Sequence, residues 1–232
     1  MRSGQSTRAF ESREVVVATL LRSIREAPAW MRALIGIDGF DGAGKSYLAK
    51  ELARLASATP GRPVVNVSID GFHRPRSERR AAGAGAEGFY RGSYRYDVFR
   101  EAVVERLRAG RPIVPRVWDV SADEPVHEGE VSIPDDGIVL VDGIFLHRPE
   151  LVEVWDASLW LDVPLAVSVP RACARLATPH DPDPEAAENS RYVGGQRLYV
   201  AEANPATRAT WILDNTDLQH PWLWPVNLSR ER

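Results

Sequence analysis

Cysteine is almost absent from this 232-residue sequence, in which Cys173 is the only one. A single cysteine excludes an internal disulfide and is typical of proteins that fold in a reducing compartment. Continuous apolar runs of membrane-spanning length are absent too, and residues 1–14 (MRSGQSTRAFESRE) contain no apolar segment of the kind that directs export. We therefore expect a cytoplasmic protein without a membrane partner.

An excess of charge of either sign is also missing. Lysine and arginine together number 29, aspartate and glutamate 32, and the net charge is −3. This balance gives no basis for binding the phosphate backbone of a nucleic acid, so no nucleic-acid partner is expected. The apolar content of 44% over 232 residues suits one large α/β domain. Composition leaves the oligomeric state open, including a homo-oligomer.

A complete phosphate-binding loop of the form G-x-x-x-x-G-K-[ST] occupies residues 39–46. It follows the apolar run 33–37 and leads into a helical pattern at 46–56, which is the context that such a loop requires. Its glycines let backbone N–H groups turn toward phosphate oxygens, Lys45 reaches the β- and γ-phosphates, and Ser46 ligates Mg²⁺. The loop therefore predicts a site for ATP or GTP with Mg²⁺. The nucleotide contacts predicted from it are Gly39, Asp41, Gly42, Ala43, Gly44, Lys45, Ser46 and Tyr47.

The rest of the chain alternates apolar runs with helical patterns. Several of the apolar runs are apolar at consecutive positions, as in strands that are covered on both faces. Strands are expected at 33–37, 64–69, 138–141, 158–161 and 210–213, and helices at 13–26, 46–56 and 96–108. This alternation predicts an α/β fold with a mainly parallel, doubly wound sheet of five strands. We expect residues 1–30 to form a tail (1–11) and a helix, and residues 31–232 to form the nucleotide-binding domain.

Three segments interrupt this alternation. Residues 112–134 contain two extended stretches around the polar turn 121–125, which predicts a β-hairpin flap beside the sheet. Residues 77–95 are rich in Gly, Ala and Arg, and residues 177–190 are rich in Pro and acidic side chains, so both are expected to be mobile loops. The second of these loops belongs to a lid expected at about 171–191.

A phosphate loop alone serves GTPases, motors and kinases. The guanine-recognition motif Asn-Lys-x-Asp is absent because the chain contains no Asn-Lys pair, and 232 residues leave little room for the partner surfaces of a motor. A kinase needs a base for the acceptor hydroxyl and cations near the transferred phosphate. Because the chain has candidates for both, we predict a small-molecule kinase that uses ATP or GTP.

Two aspartates follow buried strands at the edge of the sheet where ligands bind in such folds. Asp70 is the expected general base and, with Lys45, the expected catalytic residue; the alternatives for Asp70 are a turn cap and an Mg²⁺ contact through water. Asp142 ends the run IVLVD and suits Mg²⁺. The sequence leaves open which aspartate has which role, so the metal candidates are Ser46, Asp70 and Asp142. Asp38 is expected to be a structural residue at a strand end.

Four arginines near the lid are candidate cations. Arg171 and Arg175 are spaced i, i+4 on a predicted helix and can clamp one polyphosphate. Arg191 and Arg197 follow the acidic loop and are expected on the substrate side. The alternative for each of the four is a solvated surface arginine.

Together these segments resemble the uridine kinase / phosphoribulokinase branch of P-loop kinases. The resemblance covers residues 30–217 and is carried by GIDGFDGAGKS (36–46), SIDGFHRPR (68–76), GFYRGSYRYDVFR (88–100), VPRVWD (114–119), VLVDGIFL (139–146) and RYVGGQRLYVAEANPATRATWILDNTD (191–217). It implies a five-stranded parallel sheet with a substrate-side hairpin and an arginine-bearing lid. It also implies transfer of the γ-phosphate to the 5′-hydroxyl of uridine or cytidine, with Asp70 as the base and with Tyr96 and Trp118 in the nucleoside pocket.

The sequence departs from that family in the part of the site where the phosphate acceptor is expected to bind. A nucleoside-reading histidine is expected shortly after Asp119, where residues 120–123 read VSAD, and the lid is unusually acidic and proline-rich. His73 can substitute for that histidine or can order its own loop. Aromatic residues before the hairpin can line a pocket or pack in the core: Phe72, Phe89, Tyr90, Tyr94, Tyr96 and Trp118. The expected substrate contacts are Asp70, Phe72, His73, Tyr96, Trp118, Arg191 and Arg197.

Two alternatives to a nucleoside kinase remain. The first is a kinase of the same fold that acts on another alcohol, such as pantothenate, a sugar or a biosynthetic intermediate. The second is a nucleotide-binding regulatory module without turnover. The intact set of Lys45, Ser46, Asp70 and Asp142 argues against the second alternative.

Overall fold

The structure is a computed structural model that describes residues 11–27, 31–176 and 178–224. The tail expected at 1–11 lies almost entirely outside this range, as do the last residues of the expected domain. The strands are β1 (Ala33–Gly39), β2 (Val64–Ser68), β3 (Trp118–Asp119), β4 (Glu124–Pro125), β5 (Ile138–Asp142), β6 (Ala157–Asp162), β7 (Trp211–Asp214) and β8 (Trp222–Leu223).

Helices precede β1 and follow β1, β2 and β6, while residues 143–156, between β5 and β6, contain none. The helices are α1 (Arg13–Arg25), α2 (Lys45–Ala58), α3 (Arg76–Ala81), α4 (Ala86–Gly92), α5 (Tyr96–Phe99), α6 (Arg106–Arg108), α7 (Leu165–Cys173), α8 (Ser190–Ala203) and α9 (Pro205–Arg208). A π-helical segment, Arg100–Glu105, joins α5 to α6, and short 3₁₀ turns lie at Ile69–Phe72 and Ala187–Asn189.

The described residues form a six-stranded sheet in the order β2-β5-β1-β6-β7-β8. The first five of these strands are parallel and correspond to the five predicted apolar runs, so the doubly wound parallel sheet is confirmed. The sixth, β8, is antiparallel to β7 and was not predicted, because its two residues are too few to show a strand pattern in the sequence.

The central strands are buried on both faces, which explains their unbroken apolar character. Every residue of β1 and β5 is buried. Alternate residues contribute to two cores: Leu34 faces the one that contains α5 and α8 residues, and Ile35 faces the one that contains α1 and α2 residues. Helices therefore cover both faces of the sheet, as a doubly wound fold requires.

The predicted hairpin is present as an antiparallel pair, although little of it is regular strand. Trp118 pairs with Pro125 and Asp119 with Glu124, and an isolated bridge joins Ile113 to Val131. The turn between the two arms has Asp123 in the left-handed region, at a φ of 60°.

The segment 77–95 is not the loop that its composition predicted. It contains most of α3 and all of α4, and α4 packs closely against α8: a Cβ atom at Gly195 would lie 2.6 Å from the ring of Phe89 and 3.0 Å from the carbonyl oxygen of Ala86. Glycine by itself disfavours a helix, whereas alanine favours one, and here the small size of both residues lets α4 and α8 approach closely. Packing against α8 outweighs the weak local propensity.

Candidate functional site

Three neighbouring strands bring their carboxyl ends to one edge of the sheet. β1 leads into the phosphate loop, β2 ends just before Asp70, and β5 ends at Asp142. The strand register pairs Asp142 with Ile37 on one side and with Ser68 on the other. The sheet order β2-β5-β1 therefore brings both aspartates to the loop, as is usual for ligand sites in parallel α/β sheets.

The phosphate loop has a backbone that only glycine adopts without strain. Gly42 and Gly44 have φ values of 79° and 96°. A Cβ atom at Gly42 would lie 2.0 Å from the carbonyl oxygen of Ser168, and one at Gly44 would lie 2.8 Å from Nδ2 of Asn215. The loop is therefore shaped by its glycines into the concave backbone that phosphate groups need, and α2 begins directly behind it.

Lys45 is the first residue of α2 and is buried. Its Nζ donates a 2.7 Å hydrogen bond to the carbonyl oxygen of Phe40 within the loop. Burial lowers the pKa of the Lys45 amine, although Asp41, Asp38, Asp70 and Asp142 oppose this shift. The amine thus lies against the loop backbone, in the position where it can bind a phosphate oxygen.

Ser46 and Asp142 form a pair of oxygen ligands suited to a cation beside the loop. The Ser46 hydroxyl donates a 2.6 Å hydrogen bond to Oδ2 of Asp142, and Asn66 donates one of 3.0 Å to the other carboxylate oxygen. Among the described residues, no group of three or more His, Cys, Asp and Glu side chains is placed to hold a metal. This donor set fits Mg²⁺, which takes one or two protein oxygens and completes its shell with phosphate oxygens and water.

Asp70 lies in the open part of the cleft, and its side chain is 59% exposed. Its Oδ1 accepts a 2.9 Å hydrogen bond from the Tyr94 hydroxyl and lies 3.4 Å from Nε2 of His73. Partial desolvation would raise the pKa of this carboxyl, but the contacts with His73 and Tyr94 and the charge of Lys45 outweigh it and hold the pKa below its usual value. Asp70 is therefore ionised near neutral pH and is oriented by two side chains.

These groups line a cavity of about 270 Å³ that we call the inner cleft. Ten residues of the predicted site line it: Asp41, Gly42, Gly44, Lys45, Ser46, Tyr47, Asp70, His73, Asp142 and Arg175. Phe89 and Tyr94, two of the aromatic candidates, also line it. Gly39 and Ala43 belong to the loop backbone but line neither the inner cleft nor the cavity described next.

A second cavity, which we call the outer cavity, has a volume of about 710 Å³ and lies on the other side of the phosphate loop. It shares Gly42, Gly44, Tyr47 and Arg175 with the inner cleft, and it extends to Arg171 and to the N-terminal helix at Arg13. The two cavities therefore meet at the loop.

Of the two arginines predicted to clamp a polyphosphate, Arg175 contacts the loop, whereas Arg171 contacts the segment that follows β7. Arg171 donates to the carbonyl oxygens of Asn215 and Thr216, at 3.1 and 2.6 Å, while Arg175 is paired with Asp41 at 2.8 Å. The helix α7 ends at Cys173, so Arg175 is not on it and the predicted i, i+4 pair on one helix face is corrected. The chain turns after Cys173, which brings Arg175 toward Asp41.

Three of the predicted substrate contacts, Phe72, Tyr96 and Trp118, lie outside the lining of the inner cleft. Phe72 is fully buried and packs edge-on against Phe99 in the core. Tyr96 is 8% exposed, next to the guanidinium of Arg148. Trp118 is half-buried in the hairpin, at β3. Phe72 and Tyr96 are buried, and none of the three rings lines the inner cleft in this conformation.

The two arginines predicted on the substrate side also lie outside the cleft lining. Arg191 donates a hydrogen bond to the carbonyl oxygen of Gly83, and Arg197 is paired with Glu185 of the acidic loop. Both arginines tie α8 to neighbouring segments. The acidic loop, in which the sequence departs from the family it resembles, supplies the partner for Arg197.

Sequence reasoning missed four residues that line the inner cleft: Arg79, Gly143, Ile144 and Tyr192. Arg79 belongs to the basic stretch 74–80, whose composition is equally typical of a solvated surface. Tyr192 belongs to α8, in a motif that the resemblance includes but to which it assigns no role. Only the packing of α3 and α8 around the cleft distinguishes these residues from their neighbours.

Asp38 is buried in a polar network behind the loop, which confirms its expected structural role. Its carboxylate accepts hydrogen bonds from the backbone of Gly39, from Nδ1 of His147 at 2.7 Å and from the hydroxyl of Tyr199. The other ring nitrogen of His147 lies 2.8 Å from Oγ of Ser158. All four side chains are buried, so the network joins β1, β6 and α8 and has no access to a substrate.

A second contact from α8 reaches the loop itself. Oε1 of Gln196, which is buried, accepts a 2.6 Å hydrogen bond from the backbone N–H of Asp41. Together with Tyr199, Gln196 fixes the loop relative to α8, the helix that also carries Tyr192 into the inner cleft. The position of α8 therefore determines both the loop and one wall of the cleft.

No protein-family model matches this sequence. Solved structures, however, resemble it over most of its length. A possible uridine kinase from Bacillus stearothermophilus has a TM-score of 0.69 at 20% identity, and the match covers 88% of this chain and 98% of that one. A candidate fructose transport system kinase from Silicibacter sp. TM1040 has a TM-score of 0.65 at 22% identity, with 80% and 94% covered.

The chain has the same fold as these two proteins. The resemblance to uridine kinase-like proteins that the motifs indicated is thus confirmed at the level of the fold. In the parts of the chain that the structure describes, no helix is long and apolar enough to cross a membrane.

Proposed function

We propose that this protein is a cytoplasmic small-molecule kinase that transfers the γ-phosphate of ATP or GTP to an alcohol. The observation that carries the proposal is the meeting, in one cleft, of a phosphate loop, the Ser46–Asp142 oxygen pair and the oriented carboxylate of Asp70. A binding module without turnover has no need for an ionised carboxylate held open at the far side of the cleft. The fold likeness to kinases agrees with this function.

The nucleotide end of the site is formed by the loop and the outer cavity. The phosphates would lie on the loop N–H groups and Lys45, with Arg175 near them and the base in the outer cavity between Tyr47 and Arg171. Ser46 and Asp142 would hold Mg²⁺, which supplies neutralisation of the charge on the phosphate oxygens. The support for this division of roles is that Asp142 is buried and bonded to Ser46, whereas Asp70 is exposed in the cleft.

Transfer needs a base on the acceptor side, and Asp70 is the proposed one. Its carboxylate accepts the proton of the acceptor hydroxyl while that oxygen forms a bond to the γ-phosphorus and the bond from the γ-phosphorus to the β,γ-bridging oxygen breaks. Tyr94 and His73 hold the carboxylate in position through Oδ1. The second carboxylate oxygen then remains for the acceptor.

The acceptor is either a ribonucleoside or another small alcohol. A ribonucleoside such as uridine or cytidine is supported by the sequence motifs and by the likeness to a possible uridine kinase. Another alcohol is supported by the position of Phe72, Tyr96 and Trp118 outside the cleft lining, and by the likeness, at a TM-score of 0.65, to a candidate fructose transport system kinase. The cleft geometry favours the second class.

A product-identified assay tests this function. The full chain is incubated with ATP or GTP, Mg²⁺ and a panel of nucleosides, sugars and other alcohols, and products are identified by mass spectrometry. We expect one acceptor class to gain a single phosphate in step with release of the nucleoside diphosphate. Nucleotide binding with no phosphorylated product from any alcohol would instead support the regulatory module.

A further inference from the structure

One arginine of the inner cleft has no role in the nucleotide chemistry proposed above. Nε of Arg79, on α3, donates a 3.0 Å hydrogen bond to the carbonyl oxygen of Arg74, the residue that follows His73. His73 in turn lies 3.4 Å from Asp70. Arg79 therefore lies at the Asp70 end of the cleft, where an acceptor would bind.

The guanidinium of Arg79 is only partly engaged by its neighbours. Its Nη2 lies 3.6 Å from Oδ1 of Asp123, which is beyond a normal hydrogen bond. The same Oδ1 already accepts a 2.8 Å hydrogen bond from the backbone N–H of Arg76. With 23% of its side chain exposed, Arg79 keeps donors for a carboxylate or phosphate, which arginine binds in a bidentate manner.

The other cations of the cleft are engaged on the nucleotide side. Lys45 lies against the phosphate loop, and Arg175 is paired with Asp41 at 2.8 Å. A neutral acceptor that filled the cleft would displace water from the guanidinium of Arg79. The carboxylate of Asp123, at 3.6 Å, would then be the remaining partner for that charge. Because an incompletely paired charge in a desolvated site is unfavourable, an acid group on the acceptor is the better complement.

We propose that Arg79 binds an acid group of the acceptor, so that the substrates are small alcohols that carry a carboxylate or a phosphate. This inference rests on the proposed kinase function and specifies its substrate class. The hairpin turn takes part through Asp123, which lies beside the first turn of α3 and near the guanidinium of Arg79. The acid group would lie on Arg79 while the acceptor hydroxyl lies toward Asp70.

The test uses the full chain and pairs of alcohols that differ in an acid group: glycerate and glycerol, pantothenate and pantothenol, and ribose 5-phosphate and ribose. Uridine and cytidine are included as neutral nucleosides. Two quantities are measured: kcat and KM with the product identified, and the shift of the melting temperature by each alcohol in the presence of Mg²⁺ and a non-hydrolysable ATP analogue. The three pairs separate a carboxylate site from a phosphate site.

We expect at least one acid to have a kcat/KM at least about tenfold above that of its neutral partner, as one charge-assisted pair can provide. Arg79→Gln should remove this preference by raising KM for the acid, with KM for ATP unchanged. Arg80→Gln is the matched control, because Arg80 is on the same helix, is exposed and does not line the cleft. It should retain the preference.

Three results would overturn the proposal. In the first, no acid is preferred in any pair, whether or not nucleosides are phosphorylated. In the second, Arg79→Gln lowers kcat equally for acids and neutral alcohols, which would place Arg79 at the transferred phosphate. In the third, no acid binds or reacts. Failure of the kinase function is a separate result, in which acids raise the melting temperature through Arg79 but no alcohol is phosphorylated.

Discussion

The hydroxyl of Ser46 donates a 2.6 Å hydrogen bond to the carboxylate of Asp142, which joins the first turn of α2 to the end of β5. This contact connects the phosphate loop to the strand that lies between β1 and β2. It separates the roles of the two aspartates, because Asp142 is committed to Ser46 and Asn66 whereas Asp70 is open to the cleft.

Asp142→Asn should raise the Mg²⁺ concentration needed for half-maximal activity by at least about tenfold, since the amide has no negative charge and one acceptor oxygen fewer. The measurement is a Mg²⁺ titration of phosphoryl transfer. Asp162→Asn is the control, as Asp162 also ends a strand but is exposed and lines neither cavity. An unchanged Mg²⁺ requirement in Asp142→Asn would remove Asp142 from the metal site.

Gly42→Ala should abolish nucleotide binding and lower the free energy of unfolding by at least about 1 kcal/mol. The reasons are that residue 42 has a left-handed backbone and that the added Cβ would lie 2.0 Å from the carbonyl oxygen of Ser168. Thermal melting with and without an ATP analogue measures both effects. Gly85→Ala is the matched control, since an added Cβ there meets nothing within 4 Å. Equal behaviour of the two variants would contradict the loop geometry.

Tyr94→Phe should move the acidic limb of the kcat/KM profile to higher pH. In the native structure the pKa of Asp70 is below its usual value of about 3.9. The ionised carboxylate therefore stabilises the folded protein above about pH 3.9, and this stabilisation is lost as the pH falls through the lowered pKa. Loss of the Tyr94 hydroxyl removes one cause of the lowering, and the base protonates at a higher pH. Tyr192→Phe removes a hydroxyl from the same cleft without removing a contact to Asp70, and its profile should match that of the native protein.

Tyr199→Phe should lower the free energy of unfolding by about 1–3 kcal/mol, because it deprives buried Asp38 of a donor and the backbone N–H of His147 of its acceptor. Since the network lies behind the loop, KM for ATP should rise as well. Chemical denaturation and steady-state kinetics measure the two effects. A Tyr199→Phe protein as stable as the native one would show that the network does not hold the loop.

The sheet and the phosphate loop could be predicted because their signals are local. The strands are buried on both faces and therefore show unbroken apolar runs, and the loop is a fixed pattern between a strand and a helix. The helix α4 could not be predicted, because it depends on contact with α8, more than 90 residues later in the chain. The amino-acid composition of a segment gives no information about a contact with a distant helix.

The acceptor end of the site illustrates the same limit. The position of Asp70 follows from the strand that precedes it, but an aromatic ring in sequence does not show which side of a helix or hairpin faces the cleft. Phe72 therefore lies in the core while Tyr94 reaches Asp70. Arg79 and Arg80 are neighbours of the same type, and only the orientation of α3 places Arg79 in the cleft.

The most direct test measures the rate of phosphoryl transfer by the variant Asp70→Asn. The acceptor is the alcohol that the native protein is found to phosphorylate. Nucleotide affinity is measured in parallel with a non-hydrolysable ATP analogue and Mg²⁺. We predict that kcat falls by about 100-fold or more while nucleotide affinity is unchanged, because the amide cannot accept the proton of the acceptor hydroxyl. Transfer at the native rate by this variant would contradict the assignment of Asp70 as the base.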